Sequence, residues 1–120
     1  MRCLLFFVFI ASSLGANCNS NDLALWKDNY EFTKAFEKIA KKSMGSKSTA
    51  FALFREKYPQ MTESCCHCHS ELVGCGAHHC MEKCFDSPKS FPCRQCIRAN
   101  CIHKYSTCLG YNGVDMPLEP

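Results

Sequence analysis

The chain has 120 residues, of which 12 are cysteines, and it carries a formal net charge of +3. This length fits one small domain and excludes a two-domain enzyme. The small net charge does not indicate nucleic-acid binding, so we expect no nucleic-acid partner. A chain this short buries only a modest core, and its cysteine density is typical of small proteins stabilised by disulfides.

Residues 1–16 predict a secretory signal peptide. Arg2 supplies a positive n-region, the residues CLLFFVFIA form an apolar segment, and small residues precede a cleavage point after Gly15 or Ala16. The apolar segment is too short for a membrane-spanning helix, which needs about 20 residues. We therefore expect a secreted, extracellular protein. In an oxidising compartment, dense cysteines are expected to form disulfides rather than to bind zinc.

Residues 17–64 are predicted to form an amphipathic helical segment with a single cysteine. Its first helix is predicted over 22–44, after a cap at Ser20 or Asn21 and before Gly45. Apolar and basic side chains occupy opposite arcs of the helical wheel. The apolar arc contains Leu25, Phe32, Phe36, Ile39 and Ala40, and the basic arc contains Lys27, Lys34, Lys38, Lys41 and Lys42.

This amphipathic helix has two interpretations. In the first, the apolar arc packs on the cysteine-rich half and the lysines are solvated. In the second, the basic arc meets anionic lipid and the phenylalanines insert into the membrane surface, as in an antimicrobial protein or toxin. Asp28, Glu31 and Glu37 dilute the basic arc, which favours the first interpretation.

A second helix is predicted over about 49–58, after a cap at Ser46 or Ser48. It ends before Pro59, because the residue before a proline avoids the helical region. Together with the cysteine-rich half, these helices predict an all-α, disulfide-rich domain of four to five short helices.

Residues 65–110 are predicted to form a cysteine-rich disulfide module, followed by a C-terminal tail over 111–120. Thr62 and Ser90 are predicted helix caps in this half. Two glycines and a proline-containing turn separate the predicted helices. These helices span 63–73, 77–85 and 90–108.

The cysteines of the last helix share one side, which faces an i, i+4 pair of cysteines on the helix before it. Antiparallel helices joined by disulfides require this arrangement. We expect Cys84, nearest the turn, to pair with Cys93 or Cys96, and Cys80 to pair with Cys96 or Cys101. The cysteines predicted to form disulfides are Cys65, Cys66, Cys68, Cys75, Cys80, Cys84, Cys93, Cys96, Cys101 and Cys108.

The spacing C-x2-C-x6-C-x4-C-x3-C-x8-C-x2-C-x4-C-x6-C begins at Cys65 and is followed by Leu109 and Gly110. It resembles a cysteine-rich module of secreted or surface proteins from protists and some bacteria, to which Cys66 is an addition. The resemblance implies a helical disulfide module without a known activity. More loosely, the chain resembles ciliate mating pheromones, which are secreted, helical and disulfide-rich.

Removal of the signal peptide leaves 11 cysteines, which is an odd number. Cys18 is therefore predicted to be unpaired or to join two chains in a homodimer. Cleavage after the dibasic pair Lys41-Lys42 would also restore an even count. Two lysines on a helix surface are the favoured interpretation of that pair.

Five histidines lie among these cysteines, and four of them are candidate metal ligands: His67, His69, His78 and His79. Because the cysteines are expected to be oxidised, we predict no metal site and no cofactor. The Cys93-x-x-Cys96 pair is typical of redox proteins, but no strand pattern accompanies it. The sequence also has no phosphate-binding loop, nucleophile elbow or paired carboxylates, so we predict no catalytic residues and no enzymatic activity.

The resulting prediction is a secreted, non-enzymatic binding protein with a protein receptor or another cell-surface partner. A signalling ligand, a pheromone-like factor and an effector all fit this description. The alternatives are a membrane-active antimicrobial protein or toxin and an extracellular metal-binding protein.

Overall fold

The computed structural model describes residues 17–26, 30–85, 87 and 89–110, and these residues contain helices and no strand. The all-α prediction is confirmed, with six helices in the described part of the chain rather than four or five. The predicted signal peptide and C-terminal tail lie outside the described residues. The helices are α1 (Ser20–Trp26), α2 (Tyr30–Ser43), α3 (Lys47–Lys57), α4 (Glu63–Cys84), α5 (Phe91–Asn100) and α6 (Ile102–Leu109).

Capping side chains fix the starts of three helices, as predicted. The Thr62 hydroxyl accepts a hydrogen bond from the Cys65 N–H at 3.4 Å, and the Ser90 hydroxyl accepts one from the Cys93 N–H at 3.3 Å. Ser46 caps α3 in the same way. Each cap satisfies a backbone donor that has no partner within its helix.

The start of α1 differs from its prediction, because Asn19 is the cap rather than Ser20 or Asn21. The Asn19 side-chain oxygen accepts from the Asp22 N–H at 2.8 Å, and the Asp22 carboxylate accepts from the Asn19 N–H at 2.9 Å. This reciprocal pair is a capping box. The predicted helix over 22–44 corresponds to α1 and α2, with residues 27–29 outside the described chain.

Helix α4 continues through Gly74 and Gly76, where the sequence predicted a break. A Cβ at Gly76 would lie 3.1 Å from the Ile97 side chain, so this glycine permits the close approach of α5. The backbone instead leaves the helical region at Cys80, with φ −128° and ψ 15°. The single helix predicted over 90–108 is likewise divided at Cys101, with φ −126° and ψ −29°.

Four disulfides join α4 to α5 and α6 as the rungs of an antiparallel ladder. Their Cα–Cα distances lie between 4.6 and 5.9 Å. The pairings predicted for the cysteines nearest the turn are confirmed. The rungs are Cys84–Cys93, Cys80–Cys96, Cys75–Cys101 and Cys68–Cys108.

The two helix irregularities keep this ladder in register. Starting from Cys84, successive rungs are four, five and seven residues apart on α4; starting from Cys93, they are three, five and seven residues apart on the opposite side. A step of five residues rotates a side chain by about 140° around a regular helix, away from the shared seam. Both non-helical cysteines, Cys80 and Cys101, lie at the end of a five-residue step. The local change of direction there brings their sulfurs back to the seam.

Helices α2 and α3 pack on α4 through the apolar arc that the sequence predicted. Phe32 and Phe54 are fully buried, and the Phe32 ring lies 4.9 Å from that of His69 on α4. The turn between α2 and α3 also touches α4. Gly45 has a φ of 83°, and a Cβ there would collide with that of Ala77. The packed interpretation of the amphipathic helix is therefore confirmed for its apolar arc.

Candidate functional site

Cys18 forms a buried disulfide with Cys65, so the prediction that it is unpaired or joins two chains is wrong. The Cα atoms of the pair are 4.6 Å apart. Cys66, which was predicted to form a disulfide, is the described cysteine that has a free thiol. Adjacent residues on a helix point about 100° apart, so only one member of the Cys65-Cys66 pair can face Cys18. One cysteine of the described chain is therefore unpaired, but it is Cys66 rather than Cys18.

The Cys66 thiol is inaccessible to a substrate or to a second chain. Its side chain is fully buried, and burial raises its pKa, an effect that the adjacent Arg55 offsets in part. Arg55 also donates a hydrogen bond to the Met61 carbonyl at 2.7 Å, which holds the guanidinium in place. Because the thiolate is the nucleophilic form of cysteine, both burial and the raised pKa lower its reactivity.

His69 lies in the aromatic core and is bonded through both ring nitrogens. Nδ1 is 2.8 Å from the Tyr105 hydroxyl, and Nε2 is 3.6 Å from the Cys65 sulfur. A disulfide sulfur can only accept a hydrogen bond, so Nε2 carries the proton and Nδ1 accepts from Tyr105. Burial lowers the pKa of His69 to about 3, and burial raises the pKa of Tyr105 well above its ordinary value. Both side chains are therefore neutral at pH 7.

A group of polar contacts ties the segment before α1 to the ends of α4 and α6. The buried Asp22 carboxylate accepts from the Thr62 N–H at 2.9 Å and from the Thr62 hydroxyl at 2.6 Å. The Asn17 carbonyl accepts from the Ser64 hydroxyl at 2.7 Å, and the Asn17 backbone nitrogen donates to the Cys108 carbonyl at 3.1 Å. These bonds anchor the N-terminal segment where the Cys18–Cys65 disulfide joins it to α4.

The candidate metal ligands are dispersed. The exposed His67 stacks on Phe51 at 4.1 Å, and the neighbouring His78 and His79 are also exposed. In the described part of the chain, one group brings the ligand atoms of three residues within 4.8 Å of one another: Cys18, Cys65 and His69. Its two cysteines form a disulfide with each other. Cysteine binds a metal ion as a thiolate, so the oxidised group is not suited to hold one.

A cleft and several exposed apolar side chains lie at the opposite end of the α4–α5 hairpin from His69. A cleft of about 550 Å³ opens between the last turns of α2 and the segment that leads into α5. The Lys89 ammonium is 3.7 Å from the Glu37 carboxylate, which bridges the two sides. The lining residues are Glu37, Lys38, Lys41, Ser87, Lys89 and Ser90.

Large apolar side chains are exposed beside this cleft. Phe85 is 67% exposed and directly follows Cys84; Phe91 is 60% exposed and lies two residues before Cys93, so both flank the last disulfide of the ladder. Met44 is 81% exposed and Met81 is 44% exposed, and they lie where the α2–α3 turn meets α4. We call the surface formed by Met44, Met81, Phe85, Phe91, Lys38, Lys41 and Lys89 the tip.

Sequence reasoning did not find the tip, since it sought an apolar and basic surface on one helix. The sequence analysis identified Lys38 and Lys41 as basic surface residues. It paired them with the apolar arc of α2, but that arc packs in the core and does not belong to the tip. Phe85 and Phe91 bracket a turn and belong to no helical stripe. A signal was nevertheless present, because two phenylalanines beside a polar turn have no obvious partner in a local pattern.

No family model, curated protein or solved structure matches this chain. Over the described residues, no helix combines the length and apolarity that crossing a bilayer requires. The fold alone defines the class: a small all-α protein that is stabilised by five disulfides in the described chain. Disulfides of this density are typical of extracellular proteins.

Proposed function

We propose that this chain is a secreted, non-enzymatic binding protein that presents a rigid disulfide-stabilised surface to a partner outside the cell. The observation that carries the proposal is the division between its interior and its surface. The described free thiol, Cys66, and the core histidine, His69, are fully buried. Exposed histidines such as His67 and His79 lie outside the cleft lining, and the surface around the cleft presents mainly lysines and apolar side chains, which favour recognition over bond-making chemistry.

The disulfides support secretion. Ten described cysteines are oxidised in pairs, which is a state that the cytosol does not maintain. Cleavage of the predicted signal peptide after Ala16 would also be compatible with the fold. It would make the Asn17 nitrogen an amino group beside the Cys108 carbonyl, at the C-terminal end of α6 where positive charge is favourable.

The crosslinks also suit a binding role. Binding usually requires mobile side chains and loops to become ordered, and this cost is reduced when the surface is already rigid. The last two rungs of the ladder, Cys80–Cys96 and Cys84–Cys93, hold the region around the tip before any partner arrives.

Expression of the full chain in cultured secretory cells tests the proposal. We expect the protein in the medium, beginning at Ala16 or Asn17, with one thiol alkylated after denaturation and 11 after reduction. A matched variant with two charges in the apolar segment, Leu5→Arg with Phe7→Arg, should remain in the cells. Recovery of the unaltered chain inside the cells with reduced cysteines would contradict the proposal.

The binding part is tested with the purified secreted protein on intact cells. Saturable binding that is lost after reduction of the disulfides is the expected result. Equal binding by the reduced, unfolded chain would show that the folded surface has no role.

A further inference from the structure

We propose that the tip is a docking surface for the anionic headgroups of a lipid bilayer. This inference rests on the proposed extracellular binding function and names its partner. Lysines of the tip would contact lipid phosphates and carboxylates, while Phe85 and Phe91 enter the region between the headgroups and the acyl chains. The protein would lie on the membrane without crossing it.

The first line of support is the apolar part of the tip. Of the five large apolar side chains that are exposed in the described chain, four belong to the tip and the fifth is Tyr30. Met81 and Phe85 are four residues apart at the end of α4, so they project from one side of it. The Cys84–Cys93 disulfide, whose Cα atoms are 4.6 Å apart, joins the start of α5 to this end of α4, and Phe91 lies two residues before Cys93. Clustered exposed apolar groups mark interaction sites.

The second line of support is the charge beside these side chains. Lys38 and Lys41 line the cleft from α2, and Lys89 faces them from the segment before Phe91. The acidic residue in the lining is Glu37, and Lys89 lies 3.7 Å from it. The cleft therefore has an excess of positive charge directly beside exposed phenylalanines. Basic residues flanking inserted aromatic side chains are the features that bind proteins to an anionic interface.

A bilayer explains both features, whereas a soluble polyanion explains only one. Lysines alone would suffice for a sulfated polysaccharide or an acidic peptide, and such a ligand would leave Phe85 and Phe91 in water. The position of the apolar residues also favours a bilayer over a soluble polyanion. They lie outside the cleft lining, on the ends of helices, where a broad apolar phase can receive them together.

Vesicle co-sedimentation of the secreted, oxidised protein tests the inference. The probes are phosphatidylcholine vesicles with and without about one-third phosphatidylserine, at low and at physiological salt. We expect binding to the anionic vesicles only, weakened by salt. Trp26 is fully buried, so its fluorescence would not report insertion, and bound protein should be measured directly.

Two sets of variants separate the tip from the rest of the surface. Replacing Lys38, Lys41 and Lys89 by glutamine should weaken vesicle binding by up to about fivefold for each lysine. Replacing Phe85 and Phe91 by serine should weaken it by at least about tenfold. The matched controls remove positive charge or an exposed aromatic ring at positions outside the tip. These controls are Lys57→Gln with Arg98→Gln and Lys104→Gln for the charges, and Tyr30→Ser for the aromatic residues.

The controls should bind anionic vesicles like the parent protein. The inference is overturned if the tip and control variants lose binding equally, or if the parent does not bind vesicles. It is also overturned if a soluble sulfated polysaccharide is bound and the phenylalanine variants bind it as well as the parent does. Release of dye trapped in the vesicles would also overturn the inference, because a protein that only docks leaves the bilayer intact.

Failure of this inference is distinguishable from failure of the proposed function. A protein recovered from the medium with ten oxidised cysteines that ignores vesicles leaves the proposed function standing. A chain that is retained in the cells in reduced form contradicts the proposed function before vesicles are used.

Discussion

The two ends of the α4 hairpin are stabilised in different ways. At the end near Cys68–Cys108, which we call the base, α4 and α6 bury His69, Leu72, Tyr105 and Leu109 against the aromatic residues of α2 and α3. Near the tip, the buried residues of α4 and α5 are Cys80 and Cys93. The base is therefore a hydrophobic core that includes buried disulfide cysteines, whereas the tip is held mainly by disulfides.

This difference shows what covalent crosslinks allow a small domain to do. A hairpin end without a core would fray, because its ordering entropy is not offset by buried apolar area. The disulfides Cys80–Cys96 and Cys84–Cys93 hold this end together without a buried apolar core. Large apolar side chains at this end are then free to face outwards, where the proposed docking surface needs them.

The largest expected difference between the ends comes from removing one phenyl ring from each. Phe32→Ala in the base should lower the free energy of unfolding by about 3–5 kcal/mol, because the ring is fully buried. Phe91→Ala at the tip should change it by no more than about 0.5 kcal/mol, because the ring is 60% exposed. Urea unfolding of the two oxidised variants measures both values. Similar losses would mean that the tip also has a core.

The second comparison removes one disulfide from each end. The Cys18–Cys65 crosslink closes a separation of 47 residues and Cys84–Cys93 closes one of nine. The chain-entropy relation assigns them about 4 and about 2.6 kcal/mol. Replacing both cysteines by alanine should therefore destabilise the base more, as measured by thermal and urea unfolding. A larger loss for the Cys84–Cys93 pair would contradict the assignment of the aromatic core and its crosslink to the base.

Acid should act mainly on the base, through His69. The folded-state pKa of about 3 lies below the unfolded value of about 6.5. The unfolded chain therefore takes up a proton first as the pH falls. The stability that depends on His69 being neutral in both states is complete above about pH 6.5. It is lost between about pH 6.5 and 3, by up to about 1.4 kcal/mol per pH unit.

The pH dependence is checked by urea unfolding at pH 7, 6, 5 and 4. His69→Gln should unfold with a smaller pH slope than the parent protein, whatever its stability at pH 7. His103→Gln is the matched control, because His103 is exposed on α6, and it should keep the parent slope. A parent slope unchanged by His69→Gln would show that His69 is accessible to protons in the folded state.

Sequence reasoning predicted the parts of this fold that local chemistry determines. Thr62 and Ser90 cap helices because of side-chain bonds made within three residues, and Cys84 pairs across a short turn. The partner of Cys18 could not be predicted in this way, since it depends on the packing of α1 against the start of α4. The tip was missed for a similar reason: its residues come from three separate segments that only the folded chain brings together.

The assignment of the cysteines is the central claim, because it determines which end of the molecule needs crosslinks. The direct measurement is to label free thiols under denaturing, non-reducing conditions, digest with trypsin and a glutamate-specific protease, and sequence the linked peptides by mass spectrometry. We predict the label on Cys66, with peptide 64–71 joined to the peptides of Cys18 and Cys108. Label on Cys18, or a Cys18–Cys18 link between two chains, would contradict the account.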